Sequence, residues 1–528
     1  MFEFLLLFIL RMFARIYGEV CYPRNEKHMT LHLYDTRRKE KVPFHPAVPG
    51  KVQMYVCGIT PYSPSHLGHA RCYIAFDLLH RWLEASGYDV EYVQNFTDID
   101  DKIIRTANEE GVDFLEVANR NIADYYEVMD ALGVLRADYY PRVTEHLEGI
   151  ISMIETLIEK EHAYTASDGV WFSVASAPEK FGTLTGNTLD AVQAGGSGRL
   201  VESGKKDHHD FALWKAAKPD EPAWDSPWGP GRPGWHIECS AMSMHHFGES
   251  FDIHGGGFDL RFPHHEAEIF QSECCTGKEP FVGVWMHNGF VRVDGEKMSK
   301  SLGNFWTMKD AFNNYGPLTL RYALLNAHYR NPIDVSEQLL EDAKTKQRRL
   351  SEGYGQALIA KEGGEALEPL PPLPTPDASS DAYLPKRLGI IESLAEEAAR
   401  ALDDDLNSRI ALAKVQAGIS AIDDTLESDQ IDEHDTASFA KFAVDWIEEI
   451  AGDILGVLPE PAIAKAIRDP RLDPKRIAVR EEVEALLARR GIARHAKDWA
   501  AADEIRERLN EMGITVTDTP EGAIWSIE

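Results

Sequence analysis

Residues 51–101 read KVQMYVCGITPYSPSHLGHARCYIAFDLLHRWLEASGYDVEYVQNFTDIDD, and this stretch decides the fold. Residues 52–57 form a short β-branched and aromatic run, the pattern of a buried strand. Gly58, Pro61 and Pro64 stop it. A helical pattern starts near Leu67, with Tyr73, Ile74, Phe76, Leu78, Leu79 and Trp82 on its apolar side. Gly87 stands just past its end, where a left-handed cap favours glycine. Residues 88–96 read as a second strand. Strand, turn, helix and strand at this length make a βαβ unit, which predicts a parallel sheet.

The turn carries the chemistry. Ser65-His66-Leu67-Gly68-His69 lies where a helix N-terminus meets the carboxyl end of a strand. Orphan N–H groups and the helix dipole make that place attractive to phosphate. His66 and His69 stand at i and i+3 and can point the same way. Gly68 lets a ligand come close to the backbone. By itself the string suits a capped helix with surface histidines equally well. Neither GxGxxG nor GxxxxGK[ST] occurs in this turn, which excludes the dinucleotide and Walker readings.

At 528 residues the chain exceeds one hydrophobic core, and roughly three to five domains are expected. A hydrophobic share of 44% and a charged share of 27% describe an ordinary globular chain. A net charge of −31 repels nucleic acid except where basic groups cluster. That excludes a general nucleic-acid binder but leaves room for a local docking surface. The cysteines are Cys21, Cys57, Cys72, Cys239, Cys274 and Cys275, too few for a secreted framework, so a reducing cytoplasm is expected. Residues 1–28 do not match the rest. Their apolar run, 2–10, is too short to span a bilayer, and Arg11 and Arg15 follow it, the wrong order for a secretory signal. Met29 is the natural start on this reading, and no membrane association is expected.

Residues 102–132 and 143–161 read as helices. Residues 163–204 change to short strand-like pieces and a glycine-rich Ala194-Gly195-Gly196-Ser197-Gly198, the mark of a subdomain inserted between two halves of a sheet. Strand-like runs resume at 211–215, 235–239, 250–254 and 283–288, with a helix at 264–272. From Met308 the chain is mainly helical, and the Pro-rich break at 368–377 reads as a linker or surface loop. A basic module, with Arg468, Arg471, Lys475, Arg476, Arg480, Arg489, Arg490, Arg494 and Lys497, follows Pro459.

Two scattered groups carry further chemistry. Cys57 ends the first strand, Cys239 ends a later strand-like run, and His264 and Glu268 share a helix face at i and i+4. Two thiolates, an imidazole and a carboxylate suit Zn²⁺, although buried structural cysteines fit the same residues. An HExxH protease is excluded, because no histidine stands at 269. Lys297-Met298-Ser299-Lys300-Ser301 lies in a glycine-flanked loop. Its two lysines can gather around a pyrophosphate, or simply coat a solvated surface.

Taken together, HLGH and KMSKS resemble the paired signatures of the class I aminoacyl-tRNA synthetases. The strings YVCGITPY, QNFTDIDDKI, GWHIECSAM, IHGGGFDLRFPHHEAEI and GEKMSKSLGN, with ALDDDLN and AKDWAAADEIRERLNEMGI, resemble the cysteinyl-tRNA synthetases from Met29 to the C-terminus. Leu67 replaces the commoner isoleucine, and the Pro-rich break and residues 1–28 are additional.

The resemblance implies a Rossmann-type α/β catalytic domain whose parallel sheet is split by an insertion, then a helical bundle and a small mixed α/β C-terminal module. The expected boundaries are 1–28 for the extension, 29–145 for the first half of the sheet domain and 146–219 for the insertion. The second half is 220–281, the stem-contact region with KMSKS is 282–337, the bundle is 338–465 and the C-terminal module is 466–528. Cys57, Cys239, His264 and Glu268 are similar to the family's zinc ligands. His66, His69, Lys297 and Lys300 match its catalytic signature residues. These four, with Gly58, Ile59 and Thr60, are expected to hold ATP, and Gly58, Thr97 and Trp235 the cysteine. Implied partners are L-cysteine, ATP with Mg²⁺, and tRNA(Cys), with the chain expected to act as a monomer. Four zinc ligands exceed the usual three of a catalytic site, so the ion is expected to become five-coordinate or Glu268 to loosen when cysteine binds. Two other readings are a cysteine:amino-sugar ligase of mycothiol synthesis and a non-catalytic, zinc-containing tRNA-binding protein.

Overall fold

The computed structural model describes residues 30–188, 204–219, 221–293, 296–297, 307–367, 369–519 and 522–527. Residues 1–28, the glycine-rich 194–198 and Lys300 lie outside them. For Lys297 only the backbone is described, in a short strand (Glu296–Lys297) paired antiparallel with Val291–Val293. The chain divides into two compact units, residues 1–343 with 396–413 and 453–456, and the remainder.

The first unit is organised by seven elements. They are β1 (Lys51–Val56), α1 (Leu67–Ala85), β2 (Asp89–Gln94), α2 (Trp235–Phe247), β3 (Phe251–Gly257), α3 (His264–Thr276) and β4 (Val282–Asn288). The four strands form one wholly parallel sheet in the order β4-β3-β1-β2. Val56 is level with Gln94 on one side and with Gly255 on the other. The chain leaves β1 for β2 on one flank and returns to β3 on the opposite flank. The carboxyl end of β1 is therefore a topological switch point, where a parallel sheet opens a crevice. All four strands are buried toward that end, which is why they read as apolar runs.

Between β2 and β3 the chain builds helices Asp101–Glu110, Phe114–Ala131 and Leu147–Glu159, then a four-stranded antiparallel sheet of Ala163–Ala166, Gly169–Phe172, Phe211–Ala216 and Gly231–Pro233. The last of these strands lies beyond residue 219, and β4 lies beyond 281, so the hydrogen-bonded sheets cross both expected boundaries. Insertion and parallel sheet share one core: Tyr55 and Val93 pack in a single cluster with Ile154, Leu157, Phe172, Trp214, Ile269 and Trp285.

Residues 235–239, strand-like by pattern, are instead the start of α2. The helix continues through Ser240, Ala241 and Ser243, all buried. A helix buried on nearly every side loses its 3.6-residue signature.

The second unit is helical until its end, where Pro474–His495, Trp499–Glu511 and a hairpin of Ile514–Thr519 with Gly522–Ile527 form the mixed module. Its core is Val483, Ile505, Leu509 and Ile514. Of its basic residues, Arg490 is buried, Arg471 pairs with Asp469, Arg480 pairs with Glu484, and Arg476 lies over the Trp525 ring. Arg489 and Lys497 are exposed. No described helix is long and apolar enough to cross a membrane.

Candidate active site

A cleft of about 360 Å³ opens at the switch point. Residues just past each strand line it: Cys57, Gly58, Ile59 and Thr60 after β1, Thr97 after β2, Phe258 after β3 and Gly289 after β4. His66, His69, Trp235, Cys239 and His264 complete the walls. Gly58 is dictated by packing. A Cβ there would fall 1.4 Å from the Asn95 carbonyl oxygen, so no side chain fits where the β1 and β2 continuations converge.

On one wall, His66 caps α1. Its backbone is extended (φ −135°), and its Nδ1 accepts from the N–H groups of Gly68 at 3.1 Å and His69 at 3.4 Å. The two signature rings stack with centroids 3.7 Å apart. Because Nδ1 accepts, a neutral His66 ring carries its proton on Nε2 and donates from there.

On the other wall, Cys57, Cys239, His264 and Glu268 each present one ligand atom, all within 4.8 Å of one another and all buried. The two sulfurs are 3.6 Å apart, Cys57 Sγ is 3.8 Å from Glu268 Oε1, and that oxygen is 3.3 Å from His264 Nε2. Each imidazole and carboxylate is steadied from behind. His264 Nδ1 meets His236 Nδ1 at 3.1 Å, and Glu268 Oε2 meets His254 Nε2 at 2.8 Å. Burial, then Cys239, pushes the Cys57 thiol well up. Burial, then His236 and His254, pushes the His264 imidazole well down, leaving it neutral. A neutral imidazole is the ligating form, while the thiol must lose its proton to bind an ion.

Cys57 and Glu268 also form an overlapping quartet with His254 and His265. His265 sits 3.3 Å from Cys57 Sγ and starts a chain through His287, at 2.8 Å, to Thr36, at 2.8 Å. Of the two quartets only the first has an additional pair on the cleft, Cys239 and His264, so only it presents an ion broadly to a substrate.

Gly58, Ile59, Thr60, His66, His69, Thr97 and Trp235 therefore all face one cavity with three of the four candidate ligands. The Trp235 ring lies tilted against that of His264, centroids 4.5 Å apart. Three contributors escape sequence reading. Asn95 accepts from Gly58 N at 2.9 Å and lies 3.6 Å from Cys239 Sγ. Glu238 is buried beside Cys239. Lys102, in the cleft, holds its ammonium 5.0 Å from the Tyr62 ring centroid. The one available signal was a polar residue inside an otherwise buried run.

Residues 43–345 match the family model described as tRNA synthetases class I (C) catalytic domain, and residues 478–525 match that of the Cysteinyl-tRNA ligase anticodon binding domain. A Cysteine--tRNA ligase of Pelobacter propionicus is 44% identical over 503 residues, covering 94% of this chain and 100% of the relative. Another, from Nitratidesulfovibrio vulgaris strain Miyazaki F, is 46% identical over 502 residues, covering 94% and 100%. Among solved structures, Mycobacterium tuberculosis methionyl-tRNA synthetase in complex with methionyl-adenylate superposes with a TM-score of 0.59 at 18% identity, over 79% of this chain and 93% of that one. That likeness concerns the fold.

Proposed function

Because this chain belongs to the cysteine–tRNA ligase family of class I aminoacyl-tRNA synthetases, we propose that its cleft joins L-cysteine to ATP and then to tRNA(Cys). One observation carries the reading: a buried quartet suited to a soft ion faces a helix end suited to phosphate across one cavity.

In the first step the cysteine carboxylate attacks the α-phosphorus of ATP, the α–β anhydride bond breaks, and pyrophosphate leaves. The carboxylate is already ionised at neutral pH, so no base is required. Catalysis then rests on position and charge. His66 donates from Nε2 and the first turn of α1 adds its field. His69 is assigned to the same side, and Lys297 and Lys300 to the leaving pyrophosphate. Gly58, Ile59 and Thr60 are assigned to the nucleotide, which would bring Mg²⁺. In the second step a ribose hydroxyl at the tRNA 3′ end attacks the carbonyl carbon and AMP leaves.

The donor set of Cys57, Cys239, His264 and Glu268 fits Zn²⁺. Bound there, the ion would take the deprotonated substrate thiol as a ligand, a role a serine hydroxyl fills poorly. Gly58, Thr97 and Trp235 are assigned to the rest of the amino acid. An apolar pocket separates small groups by only about 1–3 kcal/mol, so a sulfur-specific ligand removes the need for editing. The match of residues 478–525 favours a tRNA acceptor over an amino sugar. We place the reaction in the cytoplasm and in a single chain, which light scattering of the purified protein tests.

The decisive assay is exchange of labelled pyrophosphate into ATP, run with L-cysteine and with L-serine, followed by charging of tRNA(Cys). Cysteine-dependent, serine-indifferent exchange supports the reading. Exchange that ignores cysteine, or none at all, overturns it.

A further inference from the structure

Joining activated cysteine to tRNA requires the 3′-terminal ribose to enter the cleft, so the nucleotide before it must cross the rim. A single strand is held by aromatic faces for its bases and by cations for its phosphates. Such a combination stands at the rim between β3 and α3.

β3 runs directly into a 3₁₀ turn, Phe258–Arg261, and α3 begins at His264. Gly257, Phe258, Asp259 and Leu260 line the cleft, whereas Phe262 and Pro263 line a second cavity of about 250 Å³. The turn is thus a ridge between two hollows. The hollows also meet beneath it, since His264 of the cleft lies 3.1 Å from His236 of the second cavity, Nδ1 to Nδ1. Both phenylalanines of the ridge stand in solvent, Phe258 at 38% and Phe262 at 37% exposure. Two large rings kept in water on one turn mark a contact surface. Arg261 falls between them in sequence, its guanidinium carbon 4.2 Å from the Phe258 centroid.

The second cavity is walled by aromatic rings. Phe181, Phe211 and Phe270 line it beside Phe262, and Phe181, from the insertion, meets the Phe262 ring edge-on with centroids 6.4 Å apart. Two acids line it as well, but their oxygens are spent on the insertion. Glu266 accepts from the N–H groups of Gly182 and Thr185. Asp210 accepts from Val174 N at 3.0 Å, Asp207 N at 3.0 Å and Tyr164 Oη at 2.6 Å. Lys205 and His208 add basic groups to the wall. The volume lies below the roughly 300–1,000 Å³ of a pocket for a whole ligand, and suits one heterocycle. Flat rings, a lysine and two answered carboxylates favour a nucleobase flanked by phosphate.

We propose that this second cavity takes the nucleobase preceding the terminal one of tRNA(Cys), stacked on Phe262, while Arg261 and Lys205 answer the neighbouring phosphates. The inference rests on the reading that the cleft charges tRNA, and it gives the single-stranded 3′ end a path over the ridge.

The test uses full-length enzyme, the substitutions Phe262→Leu, Phe262→Tyr and Arg261→Gln, and transcribed tRNA(Cys), either intact or lacking its single-stranded 3′ end. In Phe262→Leu, kcat/KM for charging should fall about tenfold, the scale of one lost base–aromatic stack. Phe262→Tyr keeps the ring and should charge within about twofold of wild type. Arg261→Gln should weaken binding of intact tRNA and lower its salt slope by about one. Cysteine-dependent pyrophosphate exchange, and affinity for the shortened tRNA, should stay within about twofold in every variant. A structural role would lower exchange along with charging, or weaken the shortened tRNA equally. Either result, or unchanged charging by Phe262→Leu, overturns the proposal. Should Phe262→Leu not fold, Arg261→Gln carries the same comparison between intact and shortened tRNA. Wild-type enzyme that fails to exchange with cysteine, or to charge tRNA(Cys), would instead sink the reading of the cleft itself.

Discussion

The two walls of the cleft are built by opposite means. The helix-end wall is local: His66, Gly68 and His69 belong to one turn, and the groups it offers are backbone N–H donors of a single helix end. The wall that carries the quartet is assembled from afar. Cys57 follows β1, Thr97 follows β2, Glu238 and Cys239 ride on α2, and His264 and Glu268 ride on α3. Every one of these side chains is buried. A local wall survives small shifts of the fold, whereas the assembled wall depends on packing around all four strands.

The sharpest way to break that contrast is Cys239→Ala. Metal analysis should find the ion lost, and cysteine activation should fall by about a thousandfold or more, as several kcal/mol of binding disappear. ATP should still bind. Retained zinc and activity would show the quartet to be a packing feature.

The opposite wall responds more mildly. His66→Asn keeps an N-cap acceptor but removes the Nε2 donor, so activation should fall about a hundredfold with an unchanged melting temperature. His66→Ala should add a loss of about 1 kcal/mol of stability, read from denaturant midpoints. Equal stability of the two variants would mean that the cap seen at His66 contributes nothing.

Acid provides a smaller, graded probe. Burial holds the Cys57 proton on well above neutral pH, whereas the His264 ring is already neutral. Loading an ion therefore expels thiol protons, and affinity should rise with pH, by about tenfold per unit for each proton released. Chelator competition at several pH values measures the slope, and a flat profile would remove the thiols from the ligand set. Smallest for the cleft itself is removal of the chain after Pro459. Cysteine-dependent exchange should persist while tRNA charging weakens, and unchanged charging would refute tRNA docking by the last module.

The same contrast explains what was legible in the sequence. The strand–turn–helix of residues 51–85 reads correctly because its signals are local: a β-branched run, two prolines and a histidine cap. The span 235–239 misleads because Trp-His-Ile-Glu-Cys alternates like a strand, and burial on all sides hides the helical period of α2. Cys57 and Cys239 stand 182 residues apart, and no spacing rule links them. Donor chemistry and likeness to a family pair them in the sequence, whereas the fold does so through β1 and α2. Glu238 and Asn95 stayed invisible because a lone polar residue in a buried run has many explanations until its neighbours are known.

The sheet is split, and the quartet draws on both sides of the split. An ion held there would buckle residue 57 to residues 239–268 and close the whole excursion between them. Its loss would loosen the seam where the insertion rejoins the sheet, and thermal stability would track free metal concentration. Metal starvation would then strike the molecule twice, at its cysteine-activating wall and at the seam of its fold.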